Sequence, residues 1–142
     1  MPYEVIEHTA DIGLKIWGKD LPSLFRDAAE GFFDLVTDFS LLQHSPPVFY
    51  HAVEVNFQED NAEDLFMHWL QELLFIFSVR HFVLAEYSFV SLTPMMLKLK
   101  AKAIQFDPKR HVSRHEIKAV TYHRFRVAKV QGGWEAVVIF DI

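Results

Sequence analysis

The spacing of apolar residues changes its period along this chain, and that change restricts the fold more than any other feature. Residues 21–37 and 65–77 place apolar side chains at helical spacing, whereas the other patterned segments are short runs typical of strands. The order ββαβαββββ predicts an α+β domain, a two-layer sandwich in which both helices cover one face of a mixed β-sheet. The strand-like segments are residues 3–7, 12–17, 52–57, 83–92, 95–106, 117–130 and 134–142.

Both predicted helices begin at a recognisable capping residue. Asp20 precedes Leu21 and Pro22, and an Asp side chain can accept the free amide hydrogens of a first helical turn in which Pro is tolerated. Asn61 precedes Glu63 and Asp64, whose negative charges suit a helix N-terminus. These residues predict that the first helix begins after Asp20 and the second after Asn61.

Composition limits the classes of protein that this chain can belong to. With 142 residues, 51% of them hydrophobic, it is expected to form one domain over residues 1–142. Its 14 Lys+Arg against 19 Asp+Glu give a net charge of −5, which argues against strong direct binding to nucleic acid. The chain has no Cys, which excludes disulfides, thiolate nucleophiles and Cys-ligated zinc. Without a signal-peptide pattern or a long apolar run, we expect a soluble, cytoplasmic protein that does not enter a membrane.

Common enzymatic motifs are absent from the sequence, including the Gly-rich phosphate loop, the zinc-protease helix and the nucleophile elbow. Three polar features remain. They are the loop at residues 7–11, the segment at residues 116–123 and the chain end at residues 140–142.

The chain end predicts a cluster of carboxylates. Ile142 adds an α-carboxylate next to the side chain of Asp141, and Asp11 would join them if the last strand pairs near the first ones. Three such groups would form an oxygen-rich site for a hard divalent cation, Ca²⁺ or Mg²⁺. An alternative stays open at this point, in which Asp11 caps a turn and Asp141 is a solvated charge.

Lys118 and His8 are further candidates. Lys118 lies in an otherwise apolar segment, where it either extends to the surface or presents its charge to a phosphate or carboxylate. His8 either hydrogen-bonds within its own loop or orients Asp11. His111 and His115 each follow an arginine, Arg110 and Arg114, and this mixed His/Arg segment is interpreted as a solvated connection.

The polar features together resemble the motifs of the archease family. Residues 3–12, Trp17-Gly18, Leu24-Phe25 and the helix end at residues 32–38 resemble its N-terminal motif. Residues 116–123 and 138–142 resemble its two C-terminal motifs, and the match follows the family's order over nearly the whole chain.

The resemblance implies an accessory protein with no catalytic residue of its own. Archease proteins activate the RtcB-type RNA ligase of tRNA splicing and RNA repair; they promote guanylylation of the ligase from GTP, allow multiple turnover and broaden its use of nucleotides. By the same resemblance, Asp11, Asp141 and Ile142 bind a divalent metal ion, Ca²⁺, Mg²⁺ or Mn²⁺. Lys118 is the functionally important lysine, and His8 belongs to the same motif.

Two departures from the family pattern bear on these expectations. Glu7 stands where many members have Asp, and its longer side chain can alter a contact to the metal ligands. Ala103-Ile104 stands where members commonly have Gly-Glu, so this chain lacks any role of that Glu.

Two other classes of function remain as alternatives. One is a chaperone-like binding module for an RNA-processing protein, without a functional metal site. The other is a metal-dependent hydrolase, against which the absence of His ligands and of a nucleophile motif argues.

Overall fold

The strands of this protein form two antiparallel sheets. The computed structural model describes residues 2–7, 10–44, 47 and 49–142, and for residue 7 the backbone alone. The elements in chain order are β1 (Tyr3–Glu7), β2 (Asp11–Gly18), α1 (Leu21–Val36), α2 (Phe39–His44), β3 (His51–Gln58), α3 (Ala62–Ser78), β4 (Phe82–Thr93), β5 (Met96–Gln105), β6 (Ala119–Val130) and β7 (Gly133–Asp141).

The α+β class and the packing of helices on a sheet are confirmed, but the sheet arrangement differs from the expectation of one mixed sheet. The first sheet has the strand order β1-β2-β7-β6 and the second has the order β3-β5-β4. Each of these pairings is antiparallel. Alternation along a strand reports which face is buried but not which strand lies beside it, so the division into two sheets could not be deduced from the pattern.

α1 covers the inner face of the first sheet. Its N-cap residue Asp20 accepts a hydrogen bond from the amide of Ser23 at 2.9 Å, as the sequence predicts. Alternate residues of β2 face the helix, and Ile12, Leu14 and Ile16 are at most 1% exposed. α1 also contacts β4, so it lies against both sheets.

α3 packs beside α1 and likewise contacts both sheets, through β6 and β4. The indole N–H of Trp69 donates a hydrogen bond to the carbonyl of Phe25 at 2.9 Å, and the rings of these two residues are stacked. None of the helices in the described part of the chain has the length and hydropathy needed to cross a membrane.

One helix and the start of one strand differ from the sequence prediction in ways that bear on the site. The short helix α2 was not predicted, because a six-residue helix is too short to show a period. The predicted strand 117–130 begins at Ala119 instead, so Lys118 lies in the connection that leads into β6.

Gly18, at the end of β2, allows α1 to approach the sheet closely. A Cβ atom at this position would lie 2.5 Å from the amide nitrogen of Leu24 and 2.8 Å from its Cα. Backbone atoms cannot move aside as a flexible side chain can. The G18A variant is therefore expected to lose about 1–3 kcal/mol of unfolding free energy in urea denaturation. A loss below about 0.5 kcal/mol would show that the junction between β2 and α1 is not close-packed.

Candidate carboxylate site

Asp11 and Asp141 face each other across the pairing of β2 with β7. They are direct partners in the antiparallel register, and Asp141 is in turn opposite Ala119 of β6. Directly opposite residues in antiparallel strands project from the same face, with Cβ atoms about 4.5–5.5 Å apart. The structure therefore brings together the two acidic side chains that the sequence analysis selected.

The two carboxylates differ in their surroundings. Asp141 is exposed, whereas Asp11 is half-buried and its Oδ1 atom is buried without a hydrogen-bond partner among the described residues. A buried polar atom without a partner costs about 1–3 kcal/mol, and more when it carries charge. The opposed charge of Asp141 adds to that cost. A cation at this position would offset both.

A backbone hydrogen bond and side-chain packing hold residue 142 beside Asp11. The amide of Ile142 donates to the carbonyl of Ala10 at 3.3 Å, and the half-buried side chain of Ile142 packs against the core. Residue 142 therefore lies next to the residue that precedes Asp11. Its service as a third ligand stays a prediction.

The backbone of Lys118 also reaches this site, since its amide donates a hydrogen bond to the carbonyl of Asp141 at 2.8 Å. The adjacent Ile117 is only 6% exposed and anchors this part of the chain in the core. The side chain of Lys118 is exposed and forms no ion pair with a described residue, so its ammonium group does not neutralise Asp11 or Asp141. Its exposure makes it accessible to an external anion.

His8 and the side chain of Glu7 lie outside the described residues, as does Thr9. The predicted role of His8, and the effect of Glu7 in place of Asp, therefore stay predictions. The second departure from the family pattern, Ala103-Ile104, lies in β5 of the second sheet. Both residues are buried in the core.

The side chains of the described residues supply only part of the ligands that a hard cation needs. In the described part of the chain, no three His, Asp or Glu side chains come together around one point. Asp11 and Asp141 supply two carboxylates, so an ion would need further oxygen atoms, from Ile142, main-chain carbonyls or water. Ca²⁺ and Mg²⁺ both accept such mixed oxygen ligands.

The acidic groups with raised pKa values lie elsewhere, on α1. Burial raises the pKa of Asp27, and the Arg26 guanidinium opposes this shift. Burial and the charge of Asp27 raise the pKa of Glu30. Burial raises the pKa of Tyr87 in β4 well above its usual value, and the negative charges of Glu30 and Asp27 add to this rise. The sequence did not draw attention to Asp27 and Glu30, because neither residue interrupts the helical spacing of the apolar side chains in α1.

A second polar network was also missed, at the C-terminal end of α1. Arg114 bridges Asp34 at 3.2 Å and Asp38 at 3.4 Å, and Tyr3 donates to Asp34 at 3.4 Å. Burial, followed by the charge of Asp34, raises the pKa of Tyr3 to about 12. The sequence signal was the acidic helix end at residues 32–38, which alone did not identify its basic partner.

Fold and site together define a small α+β domain that presents two opposed carboxylates where three strands meet. The sequence comparisons give this class a family. Residues 3–142 match the model of the Archease protein family (MTH1598/TM1083). The chain belongs to the archease family.

Relatives of similar length support the assignment. The chain is 30% identical to protein archease of Methanopyrus kandleri over 145 residues, which covers 100% of both chains. It is 33% identical to protein archease of Methanosarcina acetivorans, over 99% of this chain and 95% of that one.

Two solved structures share the fold. The solution structure of Methanobacterium thermoautotrophicum protein 1598 has a TM-score of 0.72 and 30% identity, and the match covers 99% of each chain. The crystal structure of an archease from Thermotoga maritima has a TM-score of 0.66 over 96% of this chain and 94% of that one. At 22% identity, the second likeness shows the fold alone.

The opposed charges predict that the metal-free protein gains stability when one is removed. In the presence of a chelator, Asp11→Asn is expected to raise the free energy of unfolding by about 0.5–1 kcal/mol, because the repulsion across β2 and β7 is lost. Urea denaturation at neutral pH measures this change. A loss of more than about 1 kcal/mol would mean that the Asp11 carboxylate already makes a stabilising interaction within the protein.

Proposed function

We propose that this protein is an accessory factor that activates an RtcB-type RNA ligase by promoting guanylylation of the ligase from GTP. Multiple turnover and a broader use of nucleotides would follow from the same action. The proposal rests on membership of the archease family and on one observation: Asp11 is paired with Asp141 across the sheet, and its buried Oδ1 atom has no hydrogen-bond partner in the described chain.

In this proposal Asp11, Asp141 and Ile142 hold a divalent ion. Ca²⁺, Mg²⁺ and Mn²⁺ all suit oxygen ligands. When bound, the ion would offset negative charge on phosphate groups, which nucleotidyl and phosphoryl transfer require together with in-line positioning. The ligase performs the chemistry, and this chain contributes a positioned charge.

Lys118 has a separate part in the proposal. Its backbone is tied to Asp141 while its ammonium group is exposed, so it can contact a phosphate of the nucleotide or a carboxylate of the ligase. The acidic net charge of −5 fits a protein target better than direct binding to RNA. The effect on tRNA and other RNA substrates would then be indirect.

The proposal is tested by adding the protein to a guanylylation assay of the matching ligase, with Asp141→Ala as the main variant. We expect Asp141→Ala to abolish the stimulation while the circular dichroism spectrum stays unchanged, because the exposed Asp141 contributes a ligand and no core contact. Asp60→Ala is a matched control, since it removes one exposed carboxylate from the connection between β3 and α3. Full stimulation of multiple-turnover RNA joining by Asp141→Ala would overturn the role of the carboxylate site.

Replacement of Lys118 separates its role from that of the carboxylates. Lys118→Ala is expected to lower the stimulated rate of guanylylation about tenfold or more, since one charge-assisted contact is worth about 1.5–3 kcal/mol. Its affinity for Ca²⁺ should be unchanged. Lys98→Ala removes an exposed lysine from the second sheet and serves as the control. Equal activity of the two variants would contradict a direct contact by Lys118.

The second candidate is a chaperone-like module that keeps an RNA-processing protein soluble. The Thermotoga maritima structure, whose fold this chain shares, is described as a possible chaperone, and that description raises this candidate. Such a module would protect its client stoichiometrically, without dependence on nucleotide, and Asp141 would be dispensable. The Asp141→Ala variant therefore distinguishes the two candidates.

A further inference from the structure

The connection between β5 and β6, residues 106–118, is attached to the end of α1. This helix has no basic residue in its last turn, where carbonyl groups lack partners within the helix. The connection supplies donors from its own backbone. The amide of Arg114 donates to the carbonyl of Val36 at 3.0 Å, and the amide of His115 donates to that of Leu35 at 2.9 Å.

The guanidinium group of Arg114 strengthens this attachment. Its Nη1 atom donates to the main-chain carbonyl of Asp34 at 3.0 Å and to Oδ1 of the same residue at 3.2 Å. Its Nη2 atom lies 3.4 Å from Oδ2 of Asp38. The remaining carboxylate oxygens have partners too, since Tyr3 donates to Asp34 Oδ2 at 3.4 Å and the amide of Leu41 donates to Asp38 Oδ1 at 3.1 Å.

Arginine suits this position because its planar group offers several donors in a fixed geometry. A lysine ammonium is a point charge and could not satisfy a carbonyl and two carboxylates in the same way. The side chain of Arg114 is 40% exposed, so the pairs are screened and of moderate strength. Their number makes them a network rather than a single surface ion pair.

The same connection ends at the carboxylate site. Four residues beyond Arg114, the Lys118 amide donates to the carbonyl of Asp141, and the intervening Ile117 is buried. We propose that Arg114, by bridging Asp34 and Asp38, is a positioning residue that fixes this connection and so holds Lys118 at the strand that carries Asp141. Its importance for activity rests on the function proposed above.

The test compares Arg114→Ala and Arg114→Lys with the wild-type protein and with Arg26→Ala. Arg26 is the control because it pairs with Asp27 in the first half of the same helix, whereas residues 106–118 are attached at its C-terminal end. In Arg114→Ala, amide hydrogen exchange at His115 and Lys118 is expected to become about tenfold faster. Arg114→Lys should give an intermediate rate. The affinity for Ca²⁺ should stay within about twofold of wild type, because Arg114 is bonded to neither Asp11 nor Asp141.

The activity readout is the stimulated rate of guanylylation. Arg114→Ala should lower the maximal stimulated rate about fivefold or more, partly restored by Arg114→Lys, while the concentration for half-maximal stimulation stays the same. Unchanged exchange at Lys118 would overturn the inference. Faster exchange throughout the chain would also overturn it, since Arg114 would then stabilise the fold in general. If the wild-type protein stimulates no ligase, the proposed function fails, and the exchange rates still decide the positioning role.

Discussion

The antiparallel pairing of β2 with β7 is the constraint on which the rest of the structure depends. Ile12, Leu14 and Ile16 of β2 and the alternate residues Ala136, Val138 and Phe140 of β7 fill the face that α1 covers. A shift of one residue would turn these side chains toward solvent, so burial of the core fixes the register. The same register leaves Asp11 opposite Asp141 on the other face. The core thus enforces a contact between two like charges.

Local features of this fold could be predicted from the sequence, and long-range ones could not. The caps Asp20 and Asn61 and the helical spacing that follows them located α1 and α3, since these signals lie within a few residues of one another. The partner of each strand depends on residues far apart in the chain. The split into two sheets and the placement of Lys118 ahead of β6 therefore emerged only from the structure.

The same difference between local and long-range features applies to the candidate site. Residue types selected Asp11, Asp141 and Lys118, and the structure brings their backbones together. The burial of Asp11 Oδ1 and the exposure of the Lys118 side chain depend on the neighbours of each atom in space, which the sequence does not reveal. The network around Arg114 was missed for the same reason, because its members come from β1, the end of α1 and the connection before β6.

Charge connects these observations. The core forces two carboxylates together at the meeting of three strands, a cation would relieve the repulsion, and an exposed lysine beside them can meet an anionic partner. The direct measurement is calorimetric titration of Ca²⁺ and Mg²⁺ into chelator-stripped protein, beside Asp141→Asn. One binding site per chain is expected in the wild-type protein and none in the variant. Equal binding by both proteins, or binding by neither, would contradict it.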